Sequence, residues 1–159
     1  MVSRQSVLAF LGAMLIVTNA QAIYTEPTRR TVLNEVVEVS KTEPQEYPLY
    51  LSDAGRYYTE IYLEPREQAS RHAKPVVFRL KLEVIRKDRI LKSETAHLSI
   101  QPGEIHKTLF WTKTPWDLPQ RKAMTVRVSV IEVNDEFRAH YDNVRLQMTR
   151  KFEFAPIFR

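Results

Sequence analysis

The chain is predicted to be all-β, an antiparallel β-sandwich of immunoglobulin-like or jelly-roll type with about eight strands. Three observations carry that prediction. Val76, Phe78, Leu80, Leu82 and Val84 recur at every second position, with Arg79, Lys81 and Glu83 between them, which is the period of a half-buried strand. Further stretches on both sides alternate in the same way. Turn-forming runs such as Asp53-Ala54-Gly55 and Gln101-Pro102-Gly103-Glu104 separate them, and no stretch carries the period of a long helix. Sheets with one wet face need a second sheet over their dry faces.

The N-terminus precedes the fold. Arg4 supplies a positive charge, Val7 to Val17 an apolar run, and Ala20-Gln21-Ala22 a small-x-small cleavage site. Residues 1–22 therefore read as a cleaved signal peptide, because the apolar run is shorter than the roughly 20 residues that span a bilayer. Residues 23–159 are then one domain, expected in the periplasm, with no later segment apolar enough to cross a membrane. The chain has no cysteine, so neither disulfides nor a lipidated cysteine can hold it. The core must do so alone.

Residues 23–31 are a polar lead-in, and the first strand runs from Val32 to Ser40 with Leu33, Val37 and Val39 on one side. Lys41 to Gln45 is a loop. After Tyr47 to Arg56 and its Asp53-Ala54-Gly55 turn, Tyr57, Thr59, Ile61 and Leu63 share one face, and Tyr58, Glu60, Tyr62 and Glu64 the other. That strand stops at Pro65, and residues 65–74 form a charged loop or single helical turn. The central hairpin follows, broken by Lys87-Asp88-Arg89 and resumed by Ile90, Ala96, Leu98 and Ile100. Pro102 and Gly103 suit the middle of a type II turn. Ile105, Lys107, Leu109 and Trp111 then alternate with His106, Thr108, Phe110 and Thr112, up to a loop with Pro115 and Pro119 around Trp116. Met124, Val126, Val128 and Val130 mark the next strand, Asn134 to Asn143 a polar connection, and Val144, Leu146, Met148, Phe152 and Phe154 the last, interrupted by Arg150.

Chemistry is sparse. Only Gly55 and Gly103 lie beyond the leader, too few for a phosphate-cradling loop, and the Gly-x-Ser-x-Gly elbow of hydrolases is absent. The histidines, His72, His97, His106 and His140, are expected to be exposed and unligated. A two-residue turn at Pro102-Gly103 would set Ser99 opposite His106 and His97 diagonal to it, but Glu104 alone stands nearby and a zinc site wants three or four ligands. His140-Tyr141-Asp142 near Asp135-Glu136 invites an acid–base reading, yet a polar loop is no pocket. Ser93, Ser99 and Ser129 fall at outward strand positions. No catalytic residue, metal site or cofactor is expected.

The aromatic residues say more. Phe110, Trp111 and Trp116 cluster, with Asp117 beside the second indole. Such side chains anchor protein interfaces or stack on sugars, unless Trp111 fills the core and Trp116 plugs an open end. Tyr58 and Tyr62, separated by carboxylates, suit an adaptable polar contact, unless they lie on an ordinary solvated face. The formal net charge is +5, a modest surplus. It suits solubility, an anionic membrane surface or an acidic protein, while export argues against nucleic acid. Arg79, Lys81, Arg127, Arg145 and Lys151 would form one cationic patch if their strands were neighbours. Glu83 and Glu153 on the same faces offer cross-strand pairing instead.

The run Leu49 to Leu63, with its Gly55-Arg56-Tyr57 strand start, and the later Met124 to Val130 resemble small exported bacterial β-sandwich proteins of unassigned function. Some of these are periplasmic immunity proteins of type VI secretion effectors. The resemblance implies a sandwich that occludes a toxin and carries no catalytic motif. The function expected is thus a non-enzymatic periplasmic protein-binding domain, with Trp116, Trp111, Phe110, Asp117, Tyr58, Tyr62, Arg127 and Arg145 as the contact residues. The alternative is a carbohydrate- or cell-wall-binding module using the surface Trp and Tyr.

Overall fold

The computed structural model describes residues 30–65 and 72–151. The expected signal peptide, most of the lead-in, residues 66–71, Phe152, Glu153 and Phe154 lie outside the described residues. The elements are β1 (Arg30–Glu38), β2 (Gln45–Tyr50), β3 (Gly55–Pro65), β4 (Val76–Arg86), β5 (Arg89–Ile100), β6 (His106–Thr114), β7 (Ala123–Val133), α1 (Asp135–His140) and β8 (Tyr141–Lys151). They form two four-stranded antiparallel sheets, here sheet A in the order β1-β8-β3-β6 and sheet B in the order β2-β7-β4-β5. The β-sandwich read from the alternation is the observed fold.

Alternation builds the core as anticipated. Val76, Phe78, Leu80, Leu82 and Val84 of β4 are buried, facing Tyr57, Ile61 and Leu63 of β3 and Val144, Leu146 and Met148 of β8 across the sandwich. Each large apolar side chain withdrawn from water contributes about 1.5–3 kcal/mol. The β4–β5 connection is a two-residue turn, with Lys87 and Asp88 both at positive φ (48° and 61°). Positive φ at both central positions matches the right-handed twist of the paired strands.

Among the described strands, β4 and β5 are the one consecutive pair that stays within one sheet. The condition for bringing His97 beside His106, a hairpin across Pro102-Gly103, is therefore not met. The Glu104 N–H does donate to the Gln101 carbonyl (3.0 Å) and Gly103 sits at φ 91°, so the turn forms. It carries the chain from sheet B to sheet A, however, and His97 and His106 never face each other. His97 lies in sheet B on β5 and His106 in sheet A on β6.

Bulges shift the phase elsewhere. In the β4–β5 pairing Val84 opposes Lys92 and Ile85 opposes Ile90, so Leu91 is extra and Ile90, expected inside, is exposed. The polar connection 134–143 holds α1, capped by Asn134, whose side chain accepts the Phe137 N–H (3.0 Å). Phe137 and Tyr141 are buried, closing one end of the sandwich against Phe78, whose ring lies 5.7 Å from that of Phe137. Arg150, which breaks the last stripe, closes the other end by donating to the Ala54 carbonyl (2.7 Å).

Candidate functional site

The outer face of sheet A is assembled by register. Tyr58 of β3 lies between Trp111 of β6 and Thr149 of β8, and Tyr62 lies between His106 and Arg145. Arg56 lies between Lys113 and Lys151 in the same manner. Trp111 reaches this face because of a bulge: Thr59 opposes Phe110 while Glu60 opposes Thr108, leaving Leu109 extra. The extra residue reverses the phase of β6, so Trp111 points out, 50% exposed, and Thr112 is buried.

Cations lie over these rings. The Arg56 guanidinium is 4.6 Å from the centre of Trp111, and Lys151 Nζ is 4.1 Å from that of Tyr58. Tyr62 stacks on His106 at 5.3 Å and 18°, and its hydroxyl donates to Glu60 (3.3 Å). Glu60 also meets Lys151 at 3.7 Å, and Arg145 pairs with Glu64.

Beyond β6 the chain turns through a cis Thr114–Pro115 bond. The Asp117 carboxylate accepts the Lys113 N–H, and the Asp117 N–H donates to the Lys113 carbonyl, both at 2.7 Å. Asp117 is thereby committed to the turn. Leu118 is fully buried and pulls the far side of the loop inward, while Trp116 stands 73% exposed with Lys113 Nζ 4.6 Å from its ring centre. Pinned on both sides, this indole is held outward at little further entropic cost to a partner.

The structure thus brings Trp111, Trp116, Tyr58, Tyr62 and Arg145 to one face and the loop at its end, with Asp117 shaping that loop. It separates the other two contact residues. Phe110 points inward, packed against the core with Lys92 5.3 Å from its ring centre, because the same bulge that exposes Trp111 turns Phe110 in. Arg127 lies on sheet B, its guanidinium 2.7 Å from Glu46 and 3.9 Å from the buried Glu83. One cationic patch therefore does not form: Arg79, Lys81 and Arg127 belong to sheet B, and Arg145 and Lys151 to sheet A. Arg56 and Lys113 were not among the expected contact residues, and His106 was weighed only as a metal ligand. Arg56 carried a signal, being in phase with Tyr58 and Tyr62; the other two depend on the β6 bulge and loop.

Two histidines depart from the expected exposure, His72 fully and His140, which is half-buried, in part. His72 is buried, with Nδ1 2.5 Å from the Tyr141 hydroxyl and Nε2 2.9 Å from the Gln101 carbonyl oxygen. A carbonyl only accepts, so Nε2 donates and Nδ1 takes the Tyr141 proton in hydrogen bonding. His97 contacts Arg79 (3.3 Å), and His140 lies 3.4 Å from Glu136. The backbone N–H groups of Lys74 and Ala73 hold the Glu136 carboxyl below its usual range, against a partial opposing effect of burial. Asp53 is likewise held low, first by the Ser52 hydroxyl and then by Arg150 and Arg30. These groups tie segments together. A cleft of about 380 Å³ opens at the α1 end, lined by Val39, Val133, Phe137 and Tyr141 among others. Among the described residues no three His, Asp or Glu side chains are grouped to hold a metal, and no helix is long and apolar enough to cross a membrane.

No family model matches this chain, and no curated protein matches it. It is similar in structure to a crystallised protein from Sulfurospirillum deleyianum, with a TM-score of 0.52 over 76% of this chain and 98% of that one, at 6% identity. At that identity the likeness speaks for the fold alone.

Proposed function

We propose that this chain is an exported, non-enzymatic binding domain that docks a protein partner through the outer face of sheet A and the Trp116 loop. The leader-like residues 1–22 support delivery to the periplasm, where the domain acts as an immunity protein that covers an exported toxin. One observation carries the reading: both indoles of the chain are turned to solvent at one end of one face, each with a cation over its ring. Large, pre-positioned aromatics next to Arg are the residues that dominate protein interfaces. The rival reading, a carbohydrate platform, needs bare indole faces for stacking, and here Arg56 and Lys113 lie over those faces.

The test is capture of the partner from the native host by the tagged chain, its identification, and titration of the two purified proteins. Trp111→Ala and Trp116→Ala are each expected to cost roughly 2 kcal/mol or more in binding, with the fold intact by circular dichroism. Unchanged affinity in the double variant would overturn the proposal. Retention on peptidoglycan that disappears with Trp116→Ala would favour the sugar-binding rival instead.

A further inference from the structure

The β2–β3, β4–β5 and β6–β7 connections gather at one end of the sandwich. In sheet B, Tyr50 pairs with Ala123 and Ile85 with Thr125, and the chain enters sheet A at Gly55, opposite Thr114. The β4–β5 turn at this end breaks two local rules. Arg86 lies directly opposite Arg89, although like charges opposed across a ladder destabilise it. Lys87 holds φ 48° at the first turn position, where Asn, Asp or Gly is favoured. No contact offsets either feature: among the described residues, the side chains of Arg86, Lys87 and Arg89 enter no hydrogen bond, ion pair or ring contact. Lys122, just before β7, is exposed and equally unpartnered, and the register of β7 on β4 carries it beside this turn. The acids of this end do not answer them. Asp88 pairs with none of the four, Asp53 is held by Arg30 and Arg150, and Asp117 accepts the Lys113 N–H. The described connections at the opposite end carry Glu43, Glu104, Asp135 and Glu136 against Lys41, Lys74 and Arg138. Positive charge is therefore concentrated at one pole.

We infer that this end seats the domain on an anionic lipid surface, with Arg86, Lys87, Arg89 and Lys122 among the headgroups. A protruding hairpin tip encloses no small ion, but it meets a flat layer of charge. Tyr50 and Ile90, each 54% exposed, stand beside the cations. Ile90 follows Arg89, and Tyr50 is the cross-strand partner of Ala123, the neighbour of Lys122. An amphipathic tyrosine and an aliphatic side chain among cations suit the boundary between headgroups and acyl chains. A folded acidic partner is met best by side chains that their neighbours hold in place, and these four have none. The diffuse potential of an anionic leaflet attracts each Lys or Arg near it without asking for fixed geometry. Local stability is given up at the turn, and attraction to the surface is what that arrangement gains. Seated on this end, the domain leaves the outer face of sheet A open at its side. The inference does not rest on the docking reading.

The chain from Ile23 onward is mixed with sucrose-loaded vesicles of phosphatidylcholine, alone or with phosphatidylglycerol, and the bound fraction is read by sedimentation. Binding is expected only with phosphatidylglycerol, and it should weaken as salt rises because the contacts are exposed to screening. Arg86→Gln, Lys87→Asn and Arg89→Gln together are expected to weaken vesicle binding about tenfold or more. The same variant removes the opposed charges and suits the turn, so its unfolding midpoint should rise above that of the parent. A turn with a structural role alone would not couple higher stability to lost binding. Lys41→Gln, Lys74→Gln and Arg138→Gln together remove equal charge from the opposite end and are expected to leave vesicle binding unchanged. Unaltered binding in the turn variant overturns the inference. Equal loss in both variants means bulk charge attraction and overturns it too, as does tighter binding to an oligo-glutamate peptide than to the vesicles, which would assign this end to an acidic protein. The turn variant keeps both indoles, so it should capture the native partner as the parent does. A parent chain that binds vesicles yet captures no partner keeps this inference and loses the docking reading.

Discussion

The two outer faces use their charged groups differently. On sheet B, Arg127 meets Glu46 and Glu83, Lys81 meets Glu83 (2.7 Å), and Arg79 meets Glu132 (3.6 Å). Charges there meet their complements on the same or the next strand, which leaves a face suited to water. On sheet A, three cations share a row and lie over rings. The inner faces differ too. The inward residues of β4 are aliphatic or aromatic, whereas β3 and β6 bury Thr59, Thr112 and Thr114. The hydroxyl oxygens of Thr59 and Thr112 have no hydrogen-bond partner. Arrangement, more than composition, separates the charge-paired face of sheet B from the face of sheet A proposed above to bind.

That contrast can be broken first from the sheet B side. Glu83 is buried beneath Lys81 and Arg127. Replacing both cations by methionine leaves a buried carboxylate unpaired, at a cost of about 1–3 kcal/mol in urea unfolding, with partner binding unchanged. Retention of full stability would show that the sheet B pairs matter less than their geometry suggests. A smaller effect of opposite sign is expected beneath sheet A. Thr59→Val keeps the shape and removes an unpartnered hydroxyl, so stability should rise by about 1 kcal/mol. A loss would mean that the hydroxyl is satisfied in solution.

The smallest effect concerns the end of sheet A beside the cation row, where Asp53 joins Arg30 (3.1 Å) and Arg150 (3.6 Å). Its carboxyl is held below the ordinary 3.8 by the Ser52 hydroxyl first and those guanidiniums next. A group with a depressed native value stabilises the fold fully above its unfolded value, and this contribution fades as pH falls through the native one. Asp53→Asn should therefore lower the unfolding midpoint at neutral pH, and the gap from the parent should close in acid. A gap that persists below the native value would assign the loss to hydrogen-bond geometry in place of charge.

Much of the sandwich was legible because strand alternation is a local property. The stripes through β3, β4, β7 and β8 needed nothing beyond residue spacing, and Tyr58, Tyr62 and Arg145 could be assigned to wet faces from it. Phe110 was misread because one extra residue at Leu109 exchanges the two faces of β6. His72 and Phe137 were taken for parts of polar connections. Burial of a loop residue depends on what folds over it, here Tyr141 and Phe78.

By itself, then, the amino-acid order determined that two layers must close over an apolar interior, since a period of two leaves every strand with one face to hide. Which layer each strand joins, and hence which charges become neighbours, only the tertiary structure decided. Sheet partners are set by pairings between residues far apart in the chain. Arg56 meets Lys113 and Lys151, and Arg127 meets Glu46, through pairings that no local window contains.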